Sequence, residues 1–176
     1  GPKRINRVLG IAKAYITRVG SGPFPTELHD ADGDTFIQVG HEFGTTTGRQ
    51  RRAGWYDAVI VRHAAEVNGL TDLVITKLDV LSAFDTIKVC VAYEHMGKTY
   101  KTVPGHQSAF HHAKPVYEEL PGWKTDITHC RTFEELPKEA RDYIHFIEEL
   151  ADVPVAMIAV GPSREQTIMM RWEPRA

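Results

Sequence analysis

The chain has 176 residues, of which 42% are hydrophobic, which suffices for one domain with its own core but not for a second independent core. Its 21 basic and 23 acidic side chains give a net charge of -2, which argues against a general nucleic-acid binder, because such proteins carry a broad basic surface. No stretch of about twenty apolar residues or apolar signal region occurs, so we expect neither a membrane span nor a membrane partner.

The two cysteines, Cys90 and Cys130, favour a reducing compartment, and we expect the cytoplasm. A disulfide in another compartment is the alternative, but two lone thiols are more typical of buried small hydrophobic residues. The chain opens with Gly1-Pro2 and no methionine. Either a tag has been cleaved or the chain is a piece of a longer protein, and the sequence alone leaves both open.

The first third of the chain predicts one strand and two loops. Residues Ala14–Val19 favour a strand, which the glycines and prolines of Gly20–Pro25 end. Asp30–Asp34 is similar to a calcium-binding loop, but the twelfth position is His41 and not the glutamate that such a loop requires. We therefore predict a polar hairpin turn at Asp30–Asp34.

The middle of the chain predicts a helix followed by a buried strand. Apolar residues recur at three and four spacings over Trp55–Asn68, and Asn68-Gly69 offers a C-terminal stop. Leu73–Thr76 has no polar alternation, as expected of a strand that is covered on both faces. Lys77-Leu78-Asp79 follows at the carboxyl end of this strand, where ligands collect in α/β sheets.

The second half continues the alternation of strands and helices. Ile87–Tyr93 and Thr99–Val103 predict two hairpin strands, and Pro104–His129 predicts a long irregular stretch. Further predicted elements are a helix at Pro137–Leu150, a buried strand at Val155–Val160 and a last strand at Thr167–Trp172. Together these elements predict an α/β fold with a mostly parallel sheet flanked by helices.

The segment Gly44–Arg52 combines three threonines, three arginines and two glycines. Arginine presents a planar fork of donors that matches carboxylate or phosphate oxygens, and threonine hydroxyls and loop amides add neutral donors. An anion-binding loop is one interpretation. A solvated basic turn or a nucleic-acid patch is the other, and this stretch alone does not decide between them.

Asp79 suggests a guanine site, because a carboxylate after a buried strand can accept hydrogen bonds from both N1–H and the 2-amino group of guanine. The apolar stem of Lys77 can lie over the base. A surface ion pair of the two side chains is the alternative. No Gly-x-x-x-x-Gly-Lys-Ser/Thr phosphate loop occurs, and His106, His111 and His112 lack the neighbouring ligands of a zinc site, so we expect no metal here.

Several unusual strings together resemble adenylosuccinate synthetases in order and spacing. They are Gly20–Glu27, Gly44–Trp55, Val67–Thr71, Thr76–Ser82 and Pro115–Trp123. The resemblance covers nearly the whole chain, but only the C-terminal part of a typical family member. It implies one domain, residues 1–176, of a P-loop-like GTP-dependent ligase fold whose N-terminal half is absent.

The resemblance also implies a reaction and its partners. Family members use GTP to phosphorylate the 6-oxygen of IMP, and the amine of L-aspartate then displaces that phosphate to give adenylosuccinate in AMP synthesis. The family acts as a homodimer with Mg²⁺. Its glycine-rich phosphate loop, catalytic aspartate, catalytic histidine and magnesium ligands lie in the N-terminal half, so the resemblance implies no catalytic or metal-binding residue in this chain and no activity for it alone.

Binding residues carry over by position. The aspartate-binding loop corresponds to Thr45, Thr46, Thr47, Gly48, Arg49, Gln50 and Arg51. Within it, Arg49 is also similar to a residue that binds IMP and Arg51 to one that binds GTP, while Val19 matches a position near the IMP ribose.

The guanine-binding positions correspond to Lys77, Leu78, Asp79, Ala159, Val160 and Gly161. Ala159 departs from the serine that the family often has, which puts a hydroxyl contact at this position in doubt. A different class of function is a stand-alone guanine-nucleotide-binding module without catalysis, in which the arginines of the loop contact a partner.

Overall fold

The structure, a computed structural model, describes residues 4–171. This part of the chain forms ten strands and four α-helices. In chain order these are β1 (Leu9–Lys13), β2 (Ile16–Arg18), α1 (Ala31–Val39), β3 (Arg52–Gly54), β4 (Tyr56–Asp57), α2 (Ala58–Asn68), β5 (Asp72–Thr76), β6 (Thr86–His95), β7 (Lys98–Tyr100), α3 (Gln107–His111), β8 (Lys114–Pro121), α4 (Lys138–Ala151), β9 (Val155–Ala159) and β10 (Thr167–Met169). Short 3₁₀ helices span Leu78–Ala83 and Arg164–Gln166.

The main sheet has the strand order β1-β5-β9-β10. Strands β1, β5 and β9 are parallel, and β10 runs antiparallel to β9. The buried strands predicted at Leu73–Thr76 and Val155–Val160 are confirmed as β5 and β9, whose side chains at Ile75 and Ile158 are fully buried. The last predicted strand is confirmed only as Thr167–Met169, and Trp172 lies outside the described residues.

The other sheets are mostly antiparallel, so the fold is α/β with mixed sheets. Strand β6 pairs in parallel with β4 and antiparallel with β7 and β8, while β2 pairs antiparallel with β3. The predicted hairpin is confirmed and turns at Met96 and Gly97, which both have positive φ. The irregular stretch predicted at Pro104–His129 is wrong, because it contains α3 and the long strand β8.

Two helix starts differ from the sequence prediction because an aspartate caps each helix. The hairpin turn predicted at Asp30–Asp34 is wrong: the Asp30 side chain accepts a hydrogen bond from Gly33 N at 3.1 Å and begins α1. Helix α2 begins at Ala58 and not at Trp55, since Asp57 caps it. Its predicted end is confirmed, with Gly69 in the left-handed conformation at φ 59°.

An aromatic cluster joins α1 to the sheets beneath the carboxyl end of β1. The Phe36 ring lies 4.7 Å from Tyr15, 4.9 Å from Trp55 and 4.6 Å from Phe84, between ring centroids. All four side chains are buried. Aromatic pairs at such separations stabilise by more than their buried area alone, so the cluster fixes α1 and the segment that follows it.

Two findings bear on the expected environment of the chain. Cys90 and Cys130 are both buried and unpaired, as the sequence predicts. Among residues 4–171, no helix has both the length and the apolar character needed to cross a membrane.

The buried cap Asp57 predicts a pH-dependent stability. Burial raises the pKa of Asp57 to about 6, even though hydrogen bonds from Tyr93 and backbone amides favour the ionised form. The folded state therefore holds a proton that the unfolded state has released, and stability falls as the pH rises from about 4 through about 6. The full shift corresponds to about 3 kcal/mol.

Asp57→Asn keeps a side-chain acceptor for the helix amide and removes this titration. The unfolding free energy of Asp57→Asn minus that of the unmodified chain should increase by up to about 3 kcal/mol as the pH rises from 4 to 7. Urea unfolding of both proteins at each pH measures this difference. The contributions of titrating groups that the two proteins share cancel in it. A difference that stays constant with pH would contradict the assignment.

Candidate functional site

The carboxyl ends of β1 and β5 form the edge on which the candidate site is built. The two strands are parallel neighbours and end at the paired residues Lys13 and Thr76. Lys77 directly follows β5, and the basic loop begins just after α1. The sheet thus brings together cationic residues that lie far apart in the sequence.

The loop between Gly44 and Gln50 is a closed hairpin. Gly44 N donates to Arg49 O and Gly48 N donates to Gly44 O, each at 2.8 Å, and Phe43 forms an antiparallel bridge with Gln50. Gly48 has φ 63°, which an L side chain rarely adopts. The predicted ligand residues of the tip are all exposed: Thr45, Thr46, Thr47, Gly48, Arg49 and Gln50.

The three arginines of this segment have different roles. Arg49 is exposed, and Arg51 donates through Nη1 to Glu42 Oε2 at 2.7 Å. Arg52 binds Glu27 through Nε and Nη2 and also donates to backbone carbonyls of the Gly20–Gly22 turn. Arg52 therefore ties the start of β3 to Glu27 and to the Gly20–Gly22 turn, while Arg49 remains accessible.

Glu42 is the centre of the site, and sequence reasoning missed it. Its side chain is fully buried and accepts hydrogen bonds from Lys13 Nζ at 2.7 and 2.8 Å, Tyr15 Oη at 2.5 Å and Arg51 Nη1 at 2.7 Å. Lys77 Nζ lies 3.9 Å from the same carboxylate. One carboxylate thus faces three cationic side chains.

A helix-ending turn places Glu42 in this position. After α1, His41 adopts the left-handed conformation at φ 48°, and the backbone amides of His41 and Glu42 donate to the carbonyls of Gln38 and Ile37. This is the Schellman arrangement, with histidine where glycine is commoner. The turn directs the chain back under the end of β1.

The charges of the cluster hold Glu42 ionised. Burial disfavours the carboxylate, but hydrogen bonds from Lys13, Tyr15 and Arg51 outweigh burial and lower the pKa of Glu42. Burial also lowers the pKa of Lys13, which Glu42 opposes. The pKa of Tyr15 is raised by burial and by its hydrogen bond to Glu42, so the phenol remains a donor.

Val19 directly follows β2, and Arg51 directly precedes β3. The last pair of these two antiparallel strands is Arg18 with Arg52. The Val19 side chain is 71% exposed. The two predicted residues Val19 and Arg51 therefore each flank the end of the small sheet at which Arg18 and Arg52 pair.

A cavity of about 520 Å³ lies at the ends of β5 and β9. Lys77, Asp79, Ala159 and Gly161 line it, so two predicted segments that are eighty residues apart share one cavity. Leu78 and Val160 are fully buried and do not line the cavity. Other lining residues were not singled out from the sequence as site residues, and His41, Ser163 and Arg164 are among them.

Lys77 and Asp79 have defined environments in this cavity. Lys77 has a left-handed backbone at φ 61° and its Nζ donates to the carbonyl of Gly40. Burial raises the pKa of Asp79, with the nearby Lys77 acting in the opposite direction. Both side chains are therefore partly buried, and neither is a fully exposed surface group.

The fold and the site define an α/β protein with an exposed basic loop and with a cavity at the ends of β5 and β9 that is lined by both acidic and basic side chains. Residues 1–168 match the family model of adenylosuccinate synthetase. Curated adenylosuccinate synthetases of Acidothermus cellulolyticus and Geotalea daltonii are 58% and 55% identical to 97% of this chain, which covers 40% and 39% of their lengths.

A solved structure agrees with these sequence relatives. The fully ligated adenylosuccinate synthetase of Plasmodium falciparum matches 96% of this chain and 41% of its own with a TM-score of 0.91 and 40% identity. The chain belongs to the adenylosuccinate synthetase family. It spans about two fifths of the length of the curated relatives that it matches.

The turn that closes the cavity depends on Gln166. Its Oε1 accepts a hydrogen bond from Ser163 N at 3.0 Å and its Nε2 donates to Thr128 O at 3.1 Å. A Cβ at Gly161 would lie 2.3 Å from the end of the Gln166 side chain, so a larger residue there would displace Gln166. The Val160 amide donates to the Gln166 carbonyl at 2.9 Å.

We expect Gln166→Ala to loosen this turn. Loss of two hydrogen bonds should cost about 1–2 kcal/mol, and the Val160 amide should exchange with deuterium several-fold faster, as NMR can measure. The control is Glu165→Ala, an exposed change in the same turn. Equal exchange rates in both variants would contradict a role for the Gln166 side chain.

Proposed function

We propose that this chain supplies the aspartate-binding loop and the guanine-binding segment of a GTP-dependent adenylosuccinate synthetase. The observation that carries the proposal is the shared cavity, which joins Lys77 and Asp79 to Ala159 and Gly161. Because the chain belongs to the adenylosuccinate synthetase family, we interpret these groups as binding groups for the substrates of that reaction. The chain would be the C-terminal part of a P-loop-like ligase fold.

The exposed loop is suited to bind a dicarboxylate. Thr45, Thr46 and Thr47 offer hydroxyls and Arg49 offers a guanidinium fork, which together match the carboxylates of L-aspartate. Arg49 would also contact IMP, and Val19 would lie near the IMP ribose. Arg51, fixed at the base of the same loop by Glu42, would face GTP.

The cavity is suited to guanine for a different reason. The Asp79 carboxylate accepts hydrogen bonds and donates none, so it pairs with two adjacent donors such as N1–H and the 2-amino group of guanine. Adenine has no such pair. The backbone of Ala159 and Gly161 and the Lys77 stem would complete the pocket around the base.

The proposed reaction consumes GTP, IMP and L-aspartate. Transfer of the terminal phosphoryl group to the 6-oxygen of IMP makes that oxygen a leaving group, and the aspartate amine displaces it as phosphate. The chain's own part is to bind and orient aspartate and guanine. Mg²⁺ would serve the triphosphate elsewhere in the enzyme: within residues 4–171 no group of three or more His, Cys, Asp or Glu side chains could hold a metal.

The remaining proposals concern environment and assembly. The two buried free thiols support a reducing cytoplasm. The homodimer belongs to the same proposal, with nucleotides and aspartate as the small-molecule partners. Arg51 binds Glu42 and Arg52 binds Glu27, so two of the three guanidiniums already bind carboxylates. This arrangement favours substrate binding over a nucleic-acid surface.

The first test is the activity of the 176-residue chain by itself. We expect no adenylosuccinate from IMP, aspartate, GTP and Mg²⁺, because the proposal assigns this chain to binding and not to the chemical step. Absorbance at 280 nm and chromatography of the products measure the reaction. Product formation at a rate that scales with the amount of purified chain would contradict the proposal.

The second test concerns the role of Asp79. Xanthine has N1–H but a carbonyl in place of the 2-amino group, and an asparagine offers one acceptor and one donor. We therefore expect Asp79→Asn to weaken GDP binding by about 100-fold and to improve binding of xanthosine diphosphate, since each mismatch leaves a polar group unpaired. NMR titration up to millimolar ligand can measure both affinities.

A matched control is Asp126→Asn, which alters an exposed carboxylate near Asp79. It should leave the preference for GDP unchanged. If Asp79→Asn and Asp126→Asn both retained the preference for GDP over xanthosine diphosphate, Asp79 would not be the specificity residue.

A further inference from the structure

The Glu42 carboxylate connects four segments of the chain at a single point. Its partners are Lys13 at the end of β1, Tyr15 just after β1, Arg51 at the base of the basic loop and Lys77 after β5. Glu42 itself follows α1. A change in any of these segments therefore acts on the same buried charge.

The cluster has more positive than negative charge. Lys13 is fully engaged, because its Nζ bonds both Glu42 oxygens and the Thr17 hydroxyl. Arg51 is not engaged in the same way, since Glu42 takes only its Nη1 and the side chain remains 30% exposed. The remaining side of the guanidinium is available to an anion above the cluster.

We propose that Glu42 is a positioning residue for nucleotide binding, which holds the Arg51 guanidinium and the loop base in the arrangement that receives the GTP phosphates. This inference rests on the proposed function. Glu42 acts through Arg51 and is buried beneath it, so it does not itself contact the nucleotide. Lys77, at 3.9 Å from the carboxylate, brings the guanine segment into the same arrangement.

Arginine side chains are flexible, and a guanidinium held in one orientation loses less entropy on binding. A neutral glutamine at position 42 would keep an acceptor for Tyr15 but leave three cations without their shared counter-charge. Mutual repulsion among Lys13, Arg51 and Lys77 would then favour loop conformations in which Arg51 moves away.

The first experiment needs no ligand and measures backbone ¹⁵N relaxation of residues 44–51 in the 176-residue chain. Glu42→Gln should increase the fast motion of these amides, while the amides of α4 stay rigid. Glu27→Gln is the matched control, because it removes a comparable carboxylate from the adjacent Arg52. Unchanged relaxation of the loop in Glu42→Gln would overturn the proposal.

The second experiment is a double-variant cycle with GDP as the probe. We expect Glu42→Gln to weaken GDP binding about ten-fold, by analogy with the loss of one charge-assisted hydrogen bond, and Glu27→Gln to change it less than two-fold. In the Arg51→Ala background, Glu42→Gln should weaken binding no further than about two-fold. If the fold-losses of GDP affinity in Glu42→Gln and Arg51→Ala simply multiply in the double variant, Glu42 has a general structural role and the proposal is overturned.

ADP separates this inference from the function on which it rests. If the unmodified chain binds GDP no better than ADP, the proposed guanine site fails, and the relaxation experiment still decides whether Glu42 holds the loop. If GDP is preferred over ADP but the effects of Glu42→Gln and Arg51→Ala on GDP affinity multiply, the guanine site stands and only the proposed role of Glu42 fails. Should Glu42→Gln not fold, Glu42→Asp keeps the charge at a shorter reach and should show the same loop motion and non-additivity.

Discussion

The buried carboxylate of Glu42 is the interaction on which the arrangement of the site depends. An ionised group without solvent is costly unless partners surround it, and here two lysines, one arginine and one phenol do so. Lys13 and Tyr15 lie at the end of β1, and Arg51 and Lys77 each come from another part of the chain. The strand ends and the loop base must therefore adopt their observed positions together, since withdrawing one partner leaves buried charge uncompensated.

Aromatic packing next to the Glu42 carboxylate stabilises this arrangement. Tyr15 donates to Glu42 and its ring stacks on Phe36 of α1, which contacts Trp55 just after β3. One aromatic side chain thus belongs both to the core and to the charged cluster. Gly40 must remain glycine for the same reason, because a Cβ there would lie 2.3 Å from the Tyr15 hydroxyl. The left-handed His41 then delivers Glu42 to the cluster.

The sequence predicted elements with strong local signals and missed those set by pairing or capping. The apolar runs of β5 and β9 and the stripe of α4 were sufficient to find them. Strand β8 was not predicted, because its residues are mostly exposed and its extended conformation is stabilised by pairing with β6. Asp30 was interpreted as a turn residue because helix caps and turns use the same side chains. Glu42 gave no signal, since a lone glutamate before a glycine-rich loop acquires meaning only when Lys13 and Lys77 are brought to it.

The two parts of the site differ in how they are prepared for a ligand. The loop tip exposes its threonines and Arg49 to solvent, whereas buried strands and the Gln166 turn form the cavity. Burial raises the pKa of Asp79, while a backbone hydrogen bond and the nearby Lys77 act in the opposite direction. A base with two adjacent N–H groups would donate to the ionised carboxylate, so the proposed guanine binding and the ionisation of Asp79 would favour each other. On this proposal, the affinity for guanine falls as the pH drops through the raised pKa of Asp79.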